Sequence, residues 1–311
     1  MNKNPRSVPL AGDFFMAHLS DDTAQRLVNE LLVANQTMVD AVEHDLGASP
    51  VLAAVQHHLN AGGNRLRLAM GLAAGQALNI APAKRQALAI ACELVHNASL
   101  IHDDLQDQDP TRRDEPAVWA KFGSDMAICA GDYLLSSAYR HVAIGHHRVA
   151  DIVEHLHHCI SELIEGQGAD LAWSDSQPVQ DPMGHYQAIA KRKSGPLLAL
   201  PMELALLASD RDTALASARA AGDAFAIAYQ ISDDLKDLKN DIRHQSLNLV
   251  HMLMVQGHTA PVDAAITEGA LQLDKCIQIA TTLPDGVGEF LVQCARHMVG
   301  TFEHTGEQAD P

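Results

Sequence analysis

Apolar residues recur at spacings of three and four along almost the whole chain. Between Pro82 and Leu105, the positions Leu88, Ala91, Cys92, Val95, Ala98, Ser99 and His102 fall on one stripe at about 100° per residue, which predicts a helix. Similar stripes predict helices over roughly 22–45, 123–143, 147–170, 185–208, 212–238 and 284–300. No stretch alternates with period two for long enough to demand a strand. Ala61-Gly62-Gly63 breaks the chain ahead of a helix, Asp109-Pro110 and Glu115-Pro116 bracket a loop, and Ser174 to Pro182 is polar and carries two prolines. No linker or short repeat divides the chain. The pattern therefore predicts an all-α protein, one multi-helix domain over 1–311, with residues 1–20 as an irregular N-terminal segment.

Composition narrows the choice. Of 311 residues 47% are hydrophobic, enough for a substantial core and too many for a disordered chain. The formal net charge is -17, which disfavours nucleic acid and anionic membrane surfaces as partners. No run approaches the ~18 apolar residues of a membrane span, and the start lacks the order of a signal peptide. The cysteines, Cys92, Cys129, Cys159, Cys276 and Cys294, are scattered and form no CxxC pair, so they read as small buried apolar groups. A cytoplasmic location is expected. The group His141, His146, His147, His155, His157 and His158 shows no ligand spacing and reads as a solvated face.

Two acidic clusters interrupt strongly apolar helices. One is His102-Asp103-Asp104-Leu105-Gln106-Asp107; the other is Gln230-Ile231-Ser232-Asp233-Asp234-Leu235-Lys236-Asp237, followed by Asp241. The outer aspartates of each triplet are four apart and share a helix face. Three carboxylates on one turn repel unless cations neutralise them, and oxygen-only donors suit a hard ion such as Mg²⁺, typically bound by one or two carboxylates plus substrate phosphates. Arg112-Arg113 follows the first cluster within a short loop, and arginine's planar fork fits phosphate oxygens. Acidic helix ends above apolar side chains point to a ligand with an apolar tail and a polyanionic head, held in a central apolar cavity.

These residues resemble a family. The order Gly62-Gly63-Asn64-Arg65-Leu66-Arg67, Glu93-Leu94-Val95-His96, the first aspartate cluster, Arg112-Arg113 and Lys121-Phe122-Gly123 is similar to the trans-prenyl diphosphate synthases. Ala130-Gly131-Asp132, Gly166-Gln167 with Asp170, Lys193-Ser194-Gly195 and the second aspartate cluster extend the likeness over about residues 60 to 242. The resemblance implies the type I isoprenoid synthase fold, a bundle around an apolar cavity. It implies that Asp103, Asp104, Asp107, Asp233, Asp234 and Asp237 hold Mg²⁺ against the diphosphate of an allylic substrate, contacted also by Arg112 and Lys193. Arg67, His96 and Arg113, with Asn64 beside them, match the isopentenyl diphosphate site. Gln230 matches a glutamine beside the allylic site, and Gln167 and Asp170 match another pair of site residues. It further implies a homodimer, and a reaction in which the allylic diphosphate ionises, the isopentenyl double bond attacks the cation and a proton is lost.

Three departures stand out. Asn64 replaces the family's usual lysine, Asp114 replaces the usual glycine after the arginines, and no lysine occurs between Lys239 and Lys275. They leave three readings open: a chain-elongating synthase, a terpene synthase or cyclase acting on one diphosphate alone, and a regulatory subunit of a synthase. The resemblance also makes the residues five and four before Asp103, Ala98 and Ser99, determinants of chain length. Both are small, which predicts a product of geranylgeranyl length or beyond. Tyr133, Leu134 or Ser137 could set the cavity floor instead.

Overall fold

The computed structural model describes residues 21–143, 147–172, 180–244 and 246–308. They are almost entirely helical and form two compact units, Met1–Val153 with Leu207–Ser209, and Glu154–Leu206 with Asp210–Pro311. The all-α expectation holds. The polar stretch expected from Ser174 to Pro182 lies mostly outside the described residues.

The first unit contains α1 (Asp21–Leu46), α2 (Pro50–Asn60), α3 (Leu66–Ala77), α4 (Pro82–Gln106), α5 (Val118–Phe122) and α6 (Ser124–Val142). The start of α7 (Val149–Leu171) also belongs to it. Prolines at the first turn start α2 and α4, where a missing N–H costs nothing. Helix α4 packs on α3 and α6, and its buried stripe includes Leu88, Ile90, Leu94 and Ile101. Leu31 and Met38 from α1, Leu68 and Leu72 from α3, and Leu134 from α6 complete this core, all fully buried.

Between α4 and α5 the chain forms a feature that the sequence pattern did not announce. Strands β1 (Thr111–Arg112) and β2 (Glu115–Pro116) pair antiparallel, Thr111 with Pro116 and Arg112 with Glu115. The two residues joining them, Arg113 and Asp114, are both left-handed, with φ of 55° and 62°. Two positive φ values in a two-residue loop define a type I′ turn, which matches the twist of paired strands and normally favours glycine or asparagine.

The second unit contains most of α7, then α8 (Pro182–Ala208), α9 (Leu215–His244), α10 (Leu249–Val255), α11 (Pro261–Thr281) and α12 (Glu289–Gln308). Helix α9 packs on α11, and α11 on α12. Tyr186, Phe225, Leu204, Ile231, Leu273 and Leu291 are among its fully buried side chains. Helix α8 runs through Pro196 and Pro201, each of which removes one backbone donor. Helix α7 approaches α8 so closely at Gly166 that a Cβ there would lie 2.6 Å from the Arg192 carbonyl carbon and the Lys193 nitrogen. No helix of the described residues is long and apolar enough to cross a membrane.

Candidate active site

In the first unit, the break at Ala61-Gly62-Gly63 leads into Arg65, a left-handed residue with φ 50° that precedes α3. Its guanidinium is buried. It donates from Nε to Asn35 Oδ1 (2.9 Å), from Nη2 to the Leu59 carbonyl (2.7 Å) and, more loosely, from Nη1 to Glu93 Oε1 and Asn97 Oδ1 (both 3.5 Å). Glu93, equally buried, accepts the Leu68 backbone N–H on Oε2 at 3.1 Å and so fixes the first turn of α3. Asn97 donates to the Glu93 carbonyl at 2.7 Å, and His58 contacts Asn97 Oδ1 at 3.1 Å. Of this buried network the sequence motifs contain only Arg65 and Glu93; Asn35, His58 and Asn97 join them through the fold, and together they form the foundation of the residues above them.

Those residues are Arg67, His96 and Arg113, which the structure brings together. Arg67 Nη1 lies 3.4 Å from His96 Nε2. Arg113 donates to the Gly62 carbonyl, and its guanidinium lies flat against Gly63, where a Cβ would sit 2.5 Å from the Arg113 Cζ. Gly63 has φ 119°, so no other residue fits either its backbone or its space. Burial, with the charges of Arg67 and Arg113, pushes the His96 imidazole well below its ordinary pKa and keeps it neutral. His58 falls to about 3 for the same reasons, burial first and then Arg113 and Arg65. Burial and the Arg65 charge bring the Arg113 guanidinium down to about 10. Cationic groups crowded together in a buried setting are suited to an anion, with neutral imidazole as a further hydrogen-bonding group. Asn64 is exposed on the same loop.

The first aspartate triplet occupies the last turn of α4 and its C-cap, Asp107, where the negative end of the helix dipole opposes carboxylates. Asp104 is buried and takes Arg112 on Oδ1, through Nε at 2.8 Å and through Nη2, while Oδ2 is buried without a hydrogen-bond partner. Burial raises the Asp104 pKa against the pull of Arg112. Burial also works against the Arg112 charge, but Asp104 and the charges of Asp103 and Asp109 outweigh it and raise its pKa. Asp103 is half-buried and Asp107 exposed. Ala98 is fully buried, whereas Ser99 keeps partial exposure and donates to the His96 carbonyl at 2.9 Å.

Asp114 occupies the turn position where a glycine would relieve a left-handed backbone at a cost of about 1 kcal/mol to any L side chain. Asp114→Gly is therefore expected to raise the thermal midpoint by about 2–4 °C, read by calorimetry. An unchanged or lower midpoint would show that the turn is not strained.

In the second unit, Lys193 on α8 pairs with Asp170 on α7 at 2.5 Å, so two expected site residues meet directly. Gln167 shares α7 with Asp170 three residues away, on the same side of the helix. On α9 the second triplet is split by depth. Asp234 is buried, accepts the Leu249 backbone N–H on Oδ2 at 2.8 Å, and has Gln230 Nε2 3.5 Å from Oδ1. Burial pushes its pKa up to about 7. The buried Tyr186 hydroxyl sits beside the same carboxylate but falls short of hydrogen-bond geometry. Asp233 is half-buried and receives Lys236 at 3.0 Å; Asp237 is exposed. Asn248, which the motif reading did not single out, caps α10 by accepting from His251 N. It also donates to the Asp234 carbonyl at 2.9 Å and to Asp241 Oδ2 at 2.8 Å.

Among the described residues no three His, Cys, Asp or Glu side chains stand close enough to hold an ion by themselves. Mg²⁺ shared between one or two carboxylates and substrate phosphates needs no such cage, and the all-oxygen donors of both triplets fit it.

Residues 49–283 match the family model of the polyprenyl synthetases. The chain belongs to the polyprenyl synthetase family. Among polyprenyl synthetases it is 30% identical over 235 residues to the short chain isoprenyl diphosphate synthase of Methanothermobacter thermautotrophicus, covering 74% of this chain and 67% of that one. It is 32% identical to the geranylgeranyl pyrophosphate synthase of Geoglobus acetivorans over 60% of this chain and 59% of the relative. The match to the second relative thus spans about six-tenths of that relative's length. The fold is that of the polyprenyl synthase from Caulobacter crescentus CB15, crystallised with calcium and isoprenyl diphosphate. That structure superposes with a TM-score of 0.74 at 22% identity, covering 88% of this chain and 97% of the other.

Proposed function

We propose that this polyprenyl synthetase condenses an allylic prenyl diphosphate with isopentenyl diphosphate to give a longer trans-prenyl diphosphate. The single observation that carries this is the meeting of Arg67, His96 and Arg113 over a buried polar foundation. An enzyme acting on one diphosphate alone has no use for a second anion site built with this much buried polar structure. The family match and the names of the relatives support the same reaction.

In this reading Asp103, Asp107, Asp233 and Asp237, the more exposed members of the triplets, hold Mg²⁺ against the allylic diphosphate. Asp104 and Asp234, engaged by Arg112 and by the Leu249 N–H before substrate arrives, complete the same clusters from below. When bound, Mg²⁺ would offset the charge that grows on the departing diphosphate. Arg112 and Lys193 change partners from Asp104 and Asp170 to that same diphosphate, and their charges offset the one that leaves. Gln167 and Gln230 orient the allylic substrate. Arg67, His96 and Arg113 hold isopentenyl diphosphate, with Asn64 at the rim; the proton lost from the carbon beside the cation left by condensation, as the new double bond forms, departs with the diphosphate. Small side chains at Ala98 and Ser99 leave room for a tail of geranylgeranyl length or more. The partial exposure of Ser99 supports this reading. We further assign the chain to the cytoplasm as a homodimer.

The purified protein with Mg²⁺ is expected to release pyrophosphate from allylic diphosphates only when isopentenyl diphosphate is present, and to yield products of twenty carbons or more. Release without isopentenyl diphosphate, as alcohol or hydrocarbon, would convert the reading to a cyclase. No release with any primer would reject catalysis by this chain.

A further inference from the structure

The motif Lys121-Phe122-Gly123 has no part in the chemistry above, yet it meets the base of the arginine hairpin through one imidazole. His57, on α2, places Nε2 2.7 Å from the Pro116 carbonyl at the end of β2, and Nδ1 3.0 Å from Lys121 Nζ in the last turn of α5. A carbonyl only accepts and an ammonium only donates, so Nε2 carries the proton and the Nδ1 lone pair receives Lys121. The Phe122 ring packs edge-on against the imidazole, with centroids 5.5 Å apart. One side chain thus ties α2, β2 and α5 together.

The hairpin needs outside support. Its strands are two residues long, and a paired ribbon of that size has little stability of its own. Both residues of its turn are in the left-handed region, one of them being Arg113. The tip is held by Arg112 on Asp104 and by Arg113 on the Gly62 carbonyl. The base is held by the Ala117 N–H on the Pro110 carbonyl (2.9 Å), by Trp119 Nε1 on the Asp109 carbonyl (2.7 Å) and by His57. The first two lie within the 109–119 segment. His57 reaches the base from another helix and anchors it, as Asp104 and Gly62 anchor the tip. We infer that His57, with Lys121, is a positioning residue that sets Arg113 for isopentenyl diphosphate.

This inference rests on the reaction proposed above. Arg112 has its own ion pair with Asp104, so the loss falls mainly on Arg113. Loss of the two partly exposed hydrogen bonds of His57 corresponds to a change of roughly tenfold. The test compares wild type, His57→Gln, His57→Leu and Lys121→Met. Glutamine keeps one donor and one acceptor at the end of its side chain; leucine keeps neither. His57→Leu is expected to raise KM for isopentenyl diphosphate about tenfold while kcat and the allylic KM move less than about threefold. His57→Gln should restore most of the loss, and Lys121→Met should give an intermediate KM. Leu and Gln variants that both match wild type, or that are equally impaired, overturn the inference. Amide hydrogen exchange of Ala117 supplies a readout free of turnover, faster in His57→Leu than in His57→Gln if the clamp exists. Should the wild type fail to condense its substrates, the proposed reaction fails, and exchange at Ala117 still decides whether the clamp is there. If His57→Leu does not fold, Lys121→Met carries the same comparison, and equal exchange with wild type rejects the clamp.

Discussion

Changing Asp103 and Asp107 together to asparagine is expected to lower turnover at least about a thousandfold without lowering the thermal midpoint. The two carboxylates sit at the negative end of α4, and the buried Asp104 adds a third charge within one turn. Helix dipole and mutual repulsion both oppose them, so neutral amides of the same shape should leave the midpoint unchanged or slightly higher. The same change at Asp104 should behave differently. That residue accepts Arg112, and its loss leaves a part-buried guanidinium without its main partner. Steady-state rates with Mg²⁺ and thermal scans without it check both parts. Turnover within tenfold of wild type would remove Asp103 and Asp107 from the reaction. A large drop in midpoint would make them structural.

Arg65→Met carries the largest expected loss of stability. Arg65 and Glu93 are both buried, with side chains 1% and 2% exposed. Removing one partner of such a pair leaves an uncompensated buried charge, at a cost of roughly 3–5 kcal/mol. Asn35 and the Leu59 carbonyl lose their donor as well. For a unit of this size the loss corresponds to a midpoint lower by about 10 °C. Arg65→Lys should recover little, because an ammonium cannot span the three directions that the guanidinium serves. A midpoint within 2–3 °C of wild type, roughly 1 kcal/mol, would show that Glu93 finds its protons elsewhere.

The long helices were legible because one face of each is polar. The stripe over Pro82–Leu105 corresponds to the helix Pro82–Gln106, and the stripe over roughly 212–238 to Leu215–His244, which continues six residues past it. Helix α3 was not read from periodicity, since Leu66, Leu68, Ala69, Met70, Leu72 and Ala74 are buried around most of its circumference and leave little contrast. The hairpin at 111–116 is too short for alternation to register, and its turn is written as Arg-Asp rather than as a glycine pair. The family resemblance singles out Arg67, His96 and Arg113, and the structure brings them together. What spacing could not convey is depth. Asp233 and Asp234 are neighbours in sequence, yet a step of about 100° around the helix turns one outward and sends the other under the Leu249 amide. Nor could it rank Arg65 against Arg67, two residues apart, of which one supports the loop and the other reaches His96.

The pairings of Arg112 with Asp104 and of Lys193 with Asp170 mean that these cations already rest on internal counter-ions. In the reaction proposed above, capturing a polyanion is an exchange of one carboxylate for another acceptor, in which neither long side chain has to be frozen from free rotation. Attraction at a distance is correspondingly muted, since each pair is electrically close to neutral before the guest arrives. Such a protein trades speed of encounter for a geometry that needs little rearrangement afterwards.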